Sequence, residues 1–527
     1  MQSLRNTAGQ SLLFALLAAL LTLSVLNQSI PARKTPARDY GIYVYAGAQI
    51  LKGGLPYRDV WESKPPAIFY LDALALQLGG GTRWGVWAVE AISLLAAILV
   101  SFGFIRKTWG VWPAIFGLLA WTYGLHQTLE GGNLTEEYPL PLHFLALALF
   151  PALVRREHKK WLDYGMGLLF ALCFLFRPNN AVVEAAILLT LFIARLAERD
   201  WRRLSAQFSR IALGAALPLG ITAVYFQAHG LLQDLLEASV LYNLTYGGTP
   251  LNGVSSLLRG AQLLGPAVWA AAAGYVVAAW RLWRGDADPW LYALLLIGWP
   301  MVIFTSDPAR RNYAHYYMNW LPFTGLLAGL ALESVQRLVA PRLKESPGMQ
   351  LAGLTAAIVL ALTFFVSHGM VQDFQKVLKR VREEGLAGSE ARSPLSIHIN
   401  ERTQPGDKVL FWGGYPNENY MSRRESPVAE VVYPLYLESE IAYRLEAGFL
   451  HRLETTPPDL IVDMGEEWSL SLNPAERERR RAAGLGWAYL PSNINEVFAF
   501  IDRNYYLEGK FRGLGIYRMK GPETQAP

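Results

Sequence analysis

The chain has 527 residues, of which 52% are hydrophobic and only 17% are charged. Soluble proteins carry roughly 25% charged residues, so this composition favours a membrane protein over an ordinary soluble enzyme. The net charge of +5 comes from basic residues scattered between apolar runs. That pattern excludes the massed basic surface of a nucleic-acid-binding protein.

Apolar stretches recur along the first 370 residues. Because a hydrocarbon core of ~30 Å needs about 20 residues of helix, we predict about eleven transmembrane helices. They lie at 11–30, 83–105, 111–128, 137–155, 161–177, 179–196, 208–228, 262–284, 289–305, 316–338 and 350–369. The first stretch has no Ala-x-Ala cleavage site, so we interpret it as a retained helix rather than a signal peptide.

Basic residues in the short loops predict the orientation. If the N-terminus is inside, the inside loops hold pairs such as Arg106-Lys107 and Arg155-Arg156, whereas the short outside loops hold few basic residues. Inside loops are enriched in Lys and Arg, so we predict this orientation in the plasma (inner) membrane. An odd number of spans then makes the tail extracytoplasmic. The outside loop 31–82 contains two short amphipathic stretches, 39–52 and 65–77, which favour helices lying in the membrane interface.

After residue 370 the sequence becomes charged and rich in loops. Short apolar runs at 408–412, 459–463 and 514–517 predict strands, and the stretches 437–454 and 474–483 predict helices. The predicted fold class is therefore a polytopic α-helical membrane protein with a C-terminal soluble α/β domain. Its domains are a transmembrane module at 1–370 and an extracytoplasmic domain at 371–527.

Acidic residues stand at two predicted outer boundaries, where a charge near the membrane needs an explanation. Asp39 follows the first helix, and Glu136 and Glu137 begin another helix. Asp39 could instead be the N-cap of the next helix. Glu136 and Glu137 could simply interact with a helix dipole.

Cations lie on the same predicted face. Lys64 precedes two prolines in a loop that also holds Arg58, and a fixed cation at headgroup level suits a phosphate. The alternative is a lysine that reaches toward headgroups in general. A second loop combines Arg310 and Arg311 with Tyr313 and His315, a set that suits a phosphosugar but is also ordinary at a membrane interface.

The sequence contains no P-loop, no G-x-G-x-x-G after a strand, no H-E-x-x-H and no G-x-S-x-G, so the corresponding nucleotide-binding, zinc-protease and hydrolase classes are not indicated. We predict no metal-ligand set. Asp286-Ala287-Asp288 lies in a predicted inside loop beside Arg281 and Arg284, and we interpret it as a solvated turn.

The run Asp39-Tyr40-Gly41, followed by 54–59, Trp61-Glu62 and 64–66, resembles the GT-C superfamily of glycosyltransferases. More narrowly, the chain resembles the bacterial protein O-mannosyltransferase-like group (family 39), which is similar to the lipid A aminoarabinose transferase. The resemblance covers roughly residues 10–370.

The resemblance implies transfer of a monosaccharide from a polyprenyl-phosphate carrier to an acceptor hydroxyl outside the cytoplasm. It implies Asp39 as general base and Glu136 or Glu137 as the second acid. It implies Lys64 as a contact of the carrier phosphate. It also implies substrate-binding roles for Arg310, Arg311 and His315, whose local sequence pattern is less fixed in the family. Related enzymes often have aspartate where this chain has Glu136-Glu137, so the role of the second acid stays open.

The expected partners are the bilayer, the polyprenyl-phosphate-linked sugar and an acceptor protein, glycolipid or cell-wall glycan. No cofactor is expected, although a divalent cation held by the acids is an alternative. The rival function is a membrane transporter or flippase for lipid-linked or sugar substrates. The break at Pro178 would suit a transporter, but the ionisable residues of interest stand at outer helix ends and no internal repeat is visible.

Overall fold

The structure is a computed structural model that describes residues 2–246, 253–307, 311–339, 346–433, 438–465, 470–485 and 490–521. It has two compact units, each built from three separate chain segments. The helical unit comprises Met1–Arg33, Val86–Tyr225 and Gly248–Ser389, and the mixed unit comprises Lys34–Gly85, Phe226–Gly247 and Glu390–Pro527. The division into a transmembrane module at 1–370 and an extracytoplasmic domain at 371–527 stays a prediction. The two units show which chain segments pack together, not which segments cross the membrane.

Helices account for most of the described residues. In chain order they are α1 (Gln2–Leu26), α2 (Arg38–Leu51), α3 (Ala67–Leu78), α4 (Arg83–Trp109), α5 (Val111–Thr128), α6 (Leu140–Leu153), α7 (Trp161–Phe176), α8 (Val182–Glu198), α9 (Trp201–Ala228), α10 (Leu232–Leu236), α11 (Tyr242–Tyr246), α12 (Gly253–Leu264), α13 (Pro266–Arg284), α14 (Pro289–Thr305), α15 (Leu321–Val339), α16 (Pro347–Ser367), α17 (Met370–Ser389), α18 (Pro394–Asn400), α19 (Pro416–Ser422), α20 (Glu440–Thr455), α21 (Pro474–Ala482) and α22 (Ile494–Asn504). Short 3₁₀ turns cover Pro178–Ala181 and Ala314–Trp320, and a π-helical turn covers Glu237–Leu241.

Each predicted span coincides with helical structure, but the count of about eleven spans is not confirmed. Among the described residues, five helical segments are long and apolar enough to cross a membrane. They are Gly9–Leu26, Arg83–Trp109, Pro178–Glu198, Trp201–Ala228 and Pro347–Ser367. A sixth span results only if Val254–Leu264 and Pro266–Arg284, bent by 113°, count as one.

The predicted span 262–284 is broken for a local reason. Gly265 has a φ of +49° and Pro266 begins the next helix. Because proline has no N–H to donate and its ring blocks the preceding turn, one continuous helix cannot pass through this point. Three other predicted spans are apolar but shorter in the structure, at Leu140–Leu153, Trp161–Phe176 and Pro289–Thr305.

Glycines allow the helices of the helical unit to approach closely. A Cβ atom on Gly117 of α5 would lie 2.5 Å from the Gly325 carbonyl oxygen of α15. A Cβ atom on Gly274 of α13 would lie 1.9 Å from the Leu327 carbonyl oxygen of the same helix α15. Small residues at helix contacts are typical of membrane proteins, where close packing replaces the hydrophobic effect as the force between helices.

The mixed unit contains a four-stranded sheet. Its strands are β1 (Val409–Trp412), β2 (Leu460–Asp463), β3 (Tyr505–Phe511) and β4 (Leu514–Met519), in the order β1-β2-β4-β3. Strands β1 and β2 are parallel, and the β2–β4 and β3–β4 pairs are antiparallel. Successive residues of β1 enter different apolar clusters, Leu410 and Trp412 on one face and Val409 and Phe411 on the other, so the sheet is covered on both faces.

The three strands predicted in the tail are confirmed, as are helices at α20 and α21. The mixed unit also contains α2 and α3, which lie in the first predicted outer loop. Residues 40–47 of α2 are all buried. The apolar side chains that predicted a helix at the membrane interface are therefore packed against other residues of the protein. The loop charges predict that all three segments of the mixed unit are on the outer side of the membrane. This topology, and the placement of α2 and α3 in the membrane interface, stay predictions.

Candidate active site

Asp39 lies in the first turn of α2. The N-cap of that helix is Ala37, with no side-chain capping hydrogen bond, so the alternative interpretation of Asp39 as an N-cap is wrong. The carboxylate is half-buried and has no hydrogen-bond or ion-pair partner among the described residues. It is therefore available to accept a proton from a bound hydroxyl group.

The residues around Asp39 fix the start of α2. The Arg38 guanidinium donates to the carbonyl oxygens of Gly414 at 3.0 Å and Gly413 at 3.3 Å. Gly41 meets α19 so closely that a Cβ atom would lie 2.1 Å from Cβ of Asn417. The Asp-Tyr-Gly pattern thus has a physical basis, because only glycine at the third position leaves room for α19.

Tyr57 organises the loop that carries Lys64. Its backbone has a φ of +70°, which is strained for a bulky residue and is maintained only by surrounding contacts. The buried Tyr57 hydroxyl donates to the Lys64 carbonyl oxygen at 2.9 Å and lies 3.1 Å from the Ser239 hydroxyl. Asn243 donates its side-chain amide to the Ser63 carbonyl oxygen at 2.7 Å. The segment 226–247 therefore holds this loop in place.

The two predicted cations of this loop have different surroundings. Lys64 Nζ lies 3.2 Å from Oε1 of the buried Glu62 carboxylate, which also accepts from the Ser63 backbone N–H at 2.9 Å. Arg58 pairs with its neighbour Asp59 at 2.7 Å, and half of its side chain is exposed. Lys64 is thus positioned by a buried acid, whereas Arg58 closes a local surface turn.

In the helical unit, Glu136 is almost fully buried and forms an ion pair with Arg177. The Thr135 hydroxyl donates to the other carboxylate oxygen at 2.9 Å. Burial raises the pKa of Glu136, but Arg177 and His315 outweigh it, so the net pKa lies below the ordinary value. The Arg177 guanidinium also lies over the Tyr316 ring, 4.2 Å from its centroid. Glu136 is therefore a charged, fully engaged carboxylate.

Glu137 differs from its neighbour although both side chains are buried. Neither carboxylate oxygen has a well-formed hydrogen bond within the described ranges. The backbone N–H groups of Leu134 and Asn133 and the Glu90 carboxyl group are the polar groups that influence this carboxyl group. Glu137 lies in the turn before α6 and differs from Glu136 in having no ion-pair partner among the described residues.

His315 joins the same unit through Glu130. Its Nδ1 lies 2.5 Å from Oε2 of Glu130, which also accepts from the His315 backbone N–H at 3.2 Å. Burial raises the pKa of Glu130, but the contacts with His315 lower it by more. Tyr313 stacks on the His315 ring with centroids 5.7 Å apart. The Arg311 backbone N–H donates to Asp307 at 2.8 Å.

The predicted site residues therefore fall into two sets. Asp39, Arg58 and Lys64 belong to the mixed unit, and Glu136, Glu137, Arg311, Tyr313 and His315 belong to the helical unit. Arg310 lies outside the described residues.

Four partner residues were not predicted as part of the site: Tyr57, Glu62, Glu130 and Arg177. Tyr57 and Glu62 stand in the segments that carry the family resemblance, and Arg177 precedes the helix-breaking Pro178.

One group in the described ranges could offer three metal-binding atoms. His143, Cys173 and Glu184 are buried, with their possible ligand atoms within 4.8 Å of one another. His143 Nδ1 already lies 2.9 Å from Oε1 of Glu184 and 3.8 Å from the Cys173 sulfur. His143 Nδ1 and the Glu184 carboxylate are thus paired with each other, whereas the buried His143 Nε2 has no hydrogen-bond partner among the described residues.

Comparison with known proteins gives a family and a fold. The family model described as putative competence-induced protein Ccs4 N-terminal domain matches residues 5–370. The crystal structure of ArnT from Cupriavidus metallidurans bound to undecaprenyl phosphate is similar at 14% identity, with a TM-score of 0.57, covering 97% of this chain and 99% of ArnT. The apo ArnT structure gives 13% identity and a TM-score of 0.58, covering 97% and 98%. No protein of curated function matches in sequence. The chain therefore shares the fold of ArnT, in agreement with the fold that the sequence resemblance implies.

Proposed function

The chain belongs to the family of the putative competence-induced protein Ccs4 N-terminal domain. The name of this family specifies no reaction, so we propose a function from the fold and the candidate site. We propose that the protein is an inverting glycosyltransferase of the membrane. It moves a monosaccharide from a polyprenyl-phosphate carrier to an acceptor hydroxyl on the outer face. Two facts support the donor class: the GT-C fold, and the undecaprenyl phosphate bound to ArnT, which shares that fold.

The observation that carries the proposal is the carboxylate of Asp39, which has no hydrogen-bond or ion-pair partner among the described residues. A general base must have a lone pair free for the proton that it abstracts. Glu136 does not meet this requirement, because Arg177 and Thr135 engage both of its oxygens. Asp39 is therefore the better candidate for the base, and Glu136 is better suited to holding Arg177 in position.

In the proposed reaction the acceptor hydroxyl attacks the anomeric carbon as Asp39 takes its proton. The bond between that carbon and the carrier phosphate breaks, and the phosphate leaves with the bonding electrons. Single displacement inverts the anomeric centre. Lys64 stabilises the charge that develops on the phosphate, and Glu62 holds the lysine in place. Because phosphate is a good leaving group, the reaction needs no protonating acid of the kind that glycosidases use.

The proposed partners are the bilayer, the polyprenyl-phosphate-linked sugar and an acceptor on a protein, glycolipid or cell-wall glycan. The three segments of the mixed unit support an extracytoplasmic site in the plasma membrane, because the charge pattern of the loops predicts all three to be outside. We propose no resident cofactor, and either a hexose or a pentose is compatible with the proposal.

The test is sugar transfer by the full-length protein in detergent, with a panel of polyprenyl-phosphate sugars and envelope acceptors. Asp39→Asn should lower the transfer rate by about 10²–10⁴-fold while donor binding is retained. Asp234→Asn is the matched control, because Asp234 is a half-buried acid in the first turn of α10, and it should keep normal transfer.

Near-normal transfer by Asp39→Asn would contradict the assignment of the base. A wild-type protein that translocates lipid-linked sugar across liposomes but transfers none to any acceptor would favour the transporter or flippase alternative.

A further inference from the structure

A separate pocket in the mixed unit has a volume of about 330 Å³. Its walls come from the C-terminal half of α2, the turn at 80–83, residues 390–392 and the region 419–424 around the end of α19. Asp39 lies in the first turn of α2 and is not among the residues that line the pocket. The first lining residue of α2 is Tyr45, about 9 Å further along the helix at ~1.5 Å per residue. The pocket is therefore distinct from the proposed base.

Positive charge dominates the pocket wall. The lining cations are Lys52, Arg83, Arg392, Arg423 and Arg424, against a single lining carboxylate, Glu390, among the described residues. Five positive charges around one pocket repel one another, and solubility alone does not require basic residues to cluster in this way. This arrangement points to an anionic ligand.

Three of the cations have partners that explain their position. Arg83 is 1% exposed, lies beside Glu390 and donates to the Lys34 carbonyl oxygen at 2.9 Å. Lys52 pairs with Glu425 at 2.8 Å. Arg424 is also buried, but its hydrogen bonds go to neutral groups, including the Thr403 hydroxyl and carbonyl at 2.9 Å each. The charge of Arg424 is thus not neutralised by an acid.

Arg392 and Arg423 are different. Both side chains are exposed, and neither guanidinium group has a hydrogen-bond or ion-pair partner within the part of the chain that the structure describes. Arg423 is the left-handed residue that ends α19, with a φ of +54°, so its backbone is held in a sparsely populated conformation. Both guanidinium groups act electrostatically on Glu390, together with Arg83. Both arginines and Glu390 therefore line the same pocket.

We propose that this pocket binds a phosphoryl group, with Arg392 and Arg423 as its principal ligands. The planar guanidinium group forms paired hydrogen bonds with phosphate oxygens, and two unpaired arginines at one concavity offer that geometry twice. The phosphoryl group can come from an anionic lipid headgroup or from a soluble phosphate compound. The inference concerns the mixed unit alone and does not depend on the glycosyl-transfer proposal.

The experiment uses the full-length protein and the double variant Arg392→Gln/Arg423→Gln. Binding of inorganic phosphate is measured by titration in detergent, and retention of phosphatidylglycerol against phosphatidylcholine is measured by native mass spectrometry. The double variant should weaken binding of the preferred probe at least about tenfold, since each charge-assisted contact is among the stronger hydrogen bonds. Phosphatidylglycerol binding alone would identify a lipid source, and phosphate binding alone a soluble one.

The matched control is Arg503→Gln/Arg512→Gln, which removes the same charge from two exposed arginines of the mixed unit that do not line the pocket. It should bind both probes as the wild type does. The proposal is overturned if the wild type binds neither probe, or if the pocket variant binds as tightly as the control. An unchanged unfolding temperature in both variants separates lost binding from lost folding.

Discussion

Replacement of Arg177 by methionine would leave the charge of Glu136 without its partner. The Glu136 side chain is 2% exposed and the Arg177 side chain 13%, so water cannot replace the guanidinium. Breaking a buried pair by removing one member typically costs about 3–5 kcal/mol, because an uncompensated charge remains. Among the described residues, the Thr135 hydroxyl bond to Glu136 and the electrostatic influence of His315 would persist. We therefore expect Arg177→Met to lower the thermal unfolding midpoint substantially.

The pH dependence of this variant gives a sharper test. In the wild type the pKa of Glu136 lies below its ordinary value, so the stability that it contributes is complete at neutral pH and is lost as the pH falls through that pKa. Without Arg177, burial dominates and raises the pKa of Glu136. The variant should then become more stable as the pH falls from 7 to 5, because protonation removes the buried charge.

The assay is thermal unfolding of the purified protein in detergent between pH 5 and 8. The double variant Arg177→Met/Glu136→Gln should recover part of the lost midpoint, since it removes the charge as well as its partner. Arg479→Met is the control, because Arg479 and Glu476 form an exposed pair, and it should leave the midpoint unchanged. An Arg177→Met midpoint equal to that of the wild type, or one that declines on acidification, would refute the argument.

Two further substitutions test the packing around the proposed base and cation, again by thermal unfolding. Gly41→Ala should destabilise the protein by about 1–3 kcal/mol through overpacking, since the new Cβ would lie 2.1 Å from Cβ of Asn417. The control Gly103→Ala, whose new Cβ meets no atom within 4 Å, should leave the unfolding midpoint unchanged. Equal midpoints for the two variants would contradict the close contact at Gly41. Tyr57→Phe should lower the free energy of unfolding by about 1–3 kcal/mol, because it leaves the hydrogen-bonding partners of a buried hydroxyl unpaired, among them Ser239. It should also raise KM for the donor more than it lowers kcat. An unchanged KM would show that this loop does not contribute to donor binding.

The helices and most strands could be predicted because their signals are local. Apolar length predicted the membrane helices, and short apolar runs predicted β1, β2 and β4, whose residues are largely buried. Strand β3 was missed because its middle residues are exposed, so its sequence lacks the apolar pattern of a buried strand. The bend at Gly265 was missed although glycine and proline mark it, because the apolar run continues through both residues.

The site could be predicted only in part, because its partners are distant in sequence. The acids and Lys64 stand out beside apolar runs, whereas Arg177 contacts Glu136 across a separation of 41 positions. Nothing in the sequence near Glu136 indicates which cation will neutralise it. The different environments of Glu136 and Glu137 were equally unpredictable, since the two residues are adjacent and chemically identical.

The hydrogen bond between Arg38 and Gly414 joins residues 376 positions apart, and this separation affects biosynthesis. At roughly 5–20 residues per second, the ribosome needs on the order of 20–75 s to proceed from one partner to the other. Until α19 has been made, the nascent α2 has no surface to cover Gly41. The proposed site around Asp39 would therefore be completed only late in translation, and an unfinished copy would lack the surface that holds α2 in place.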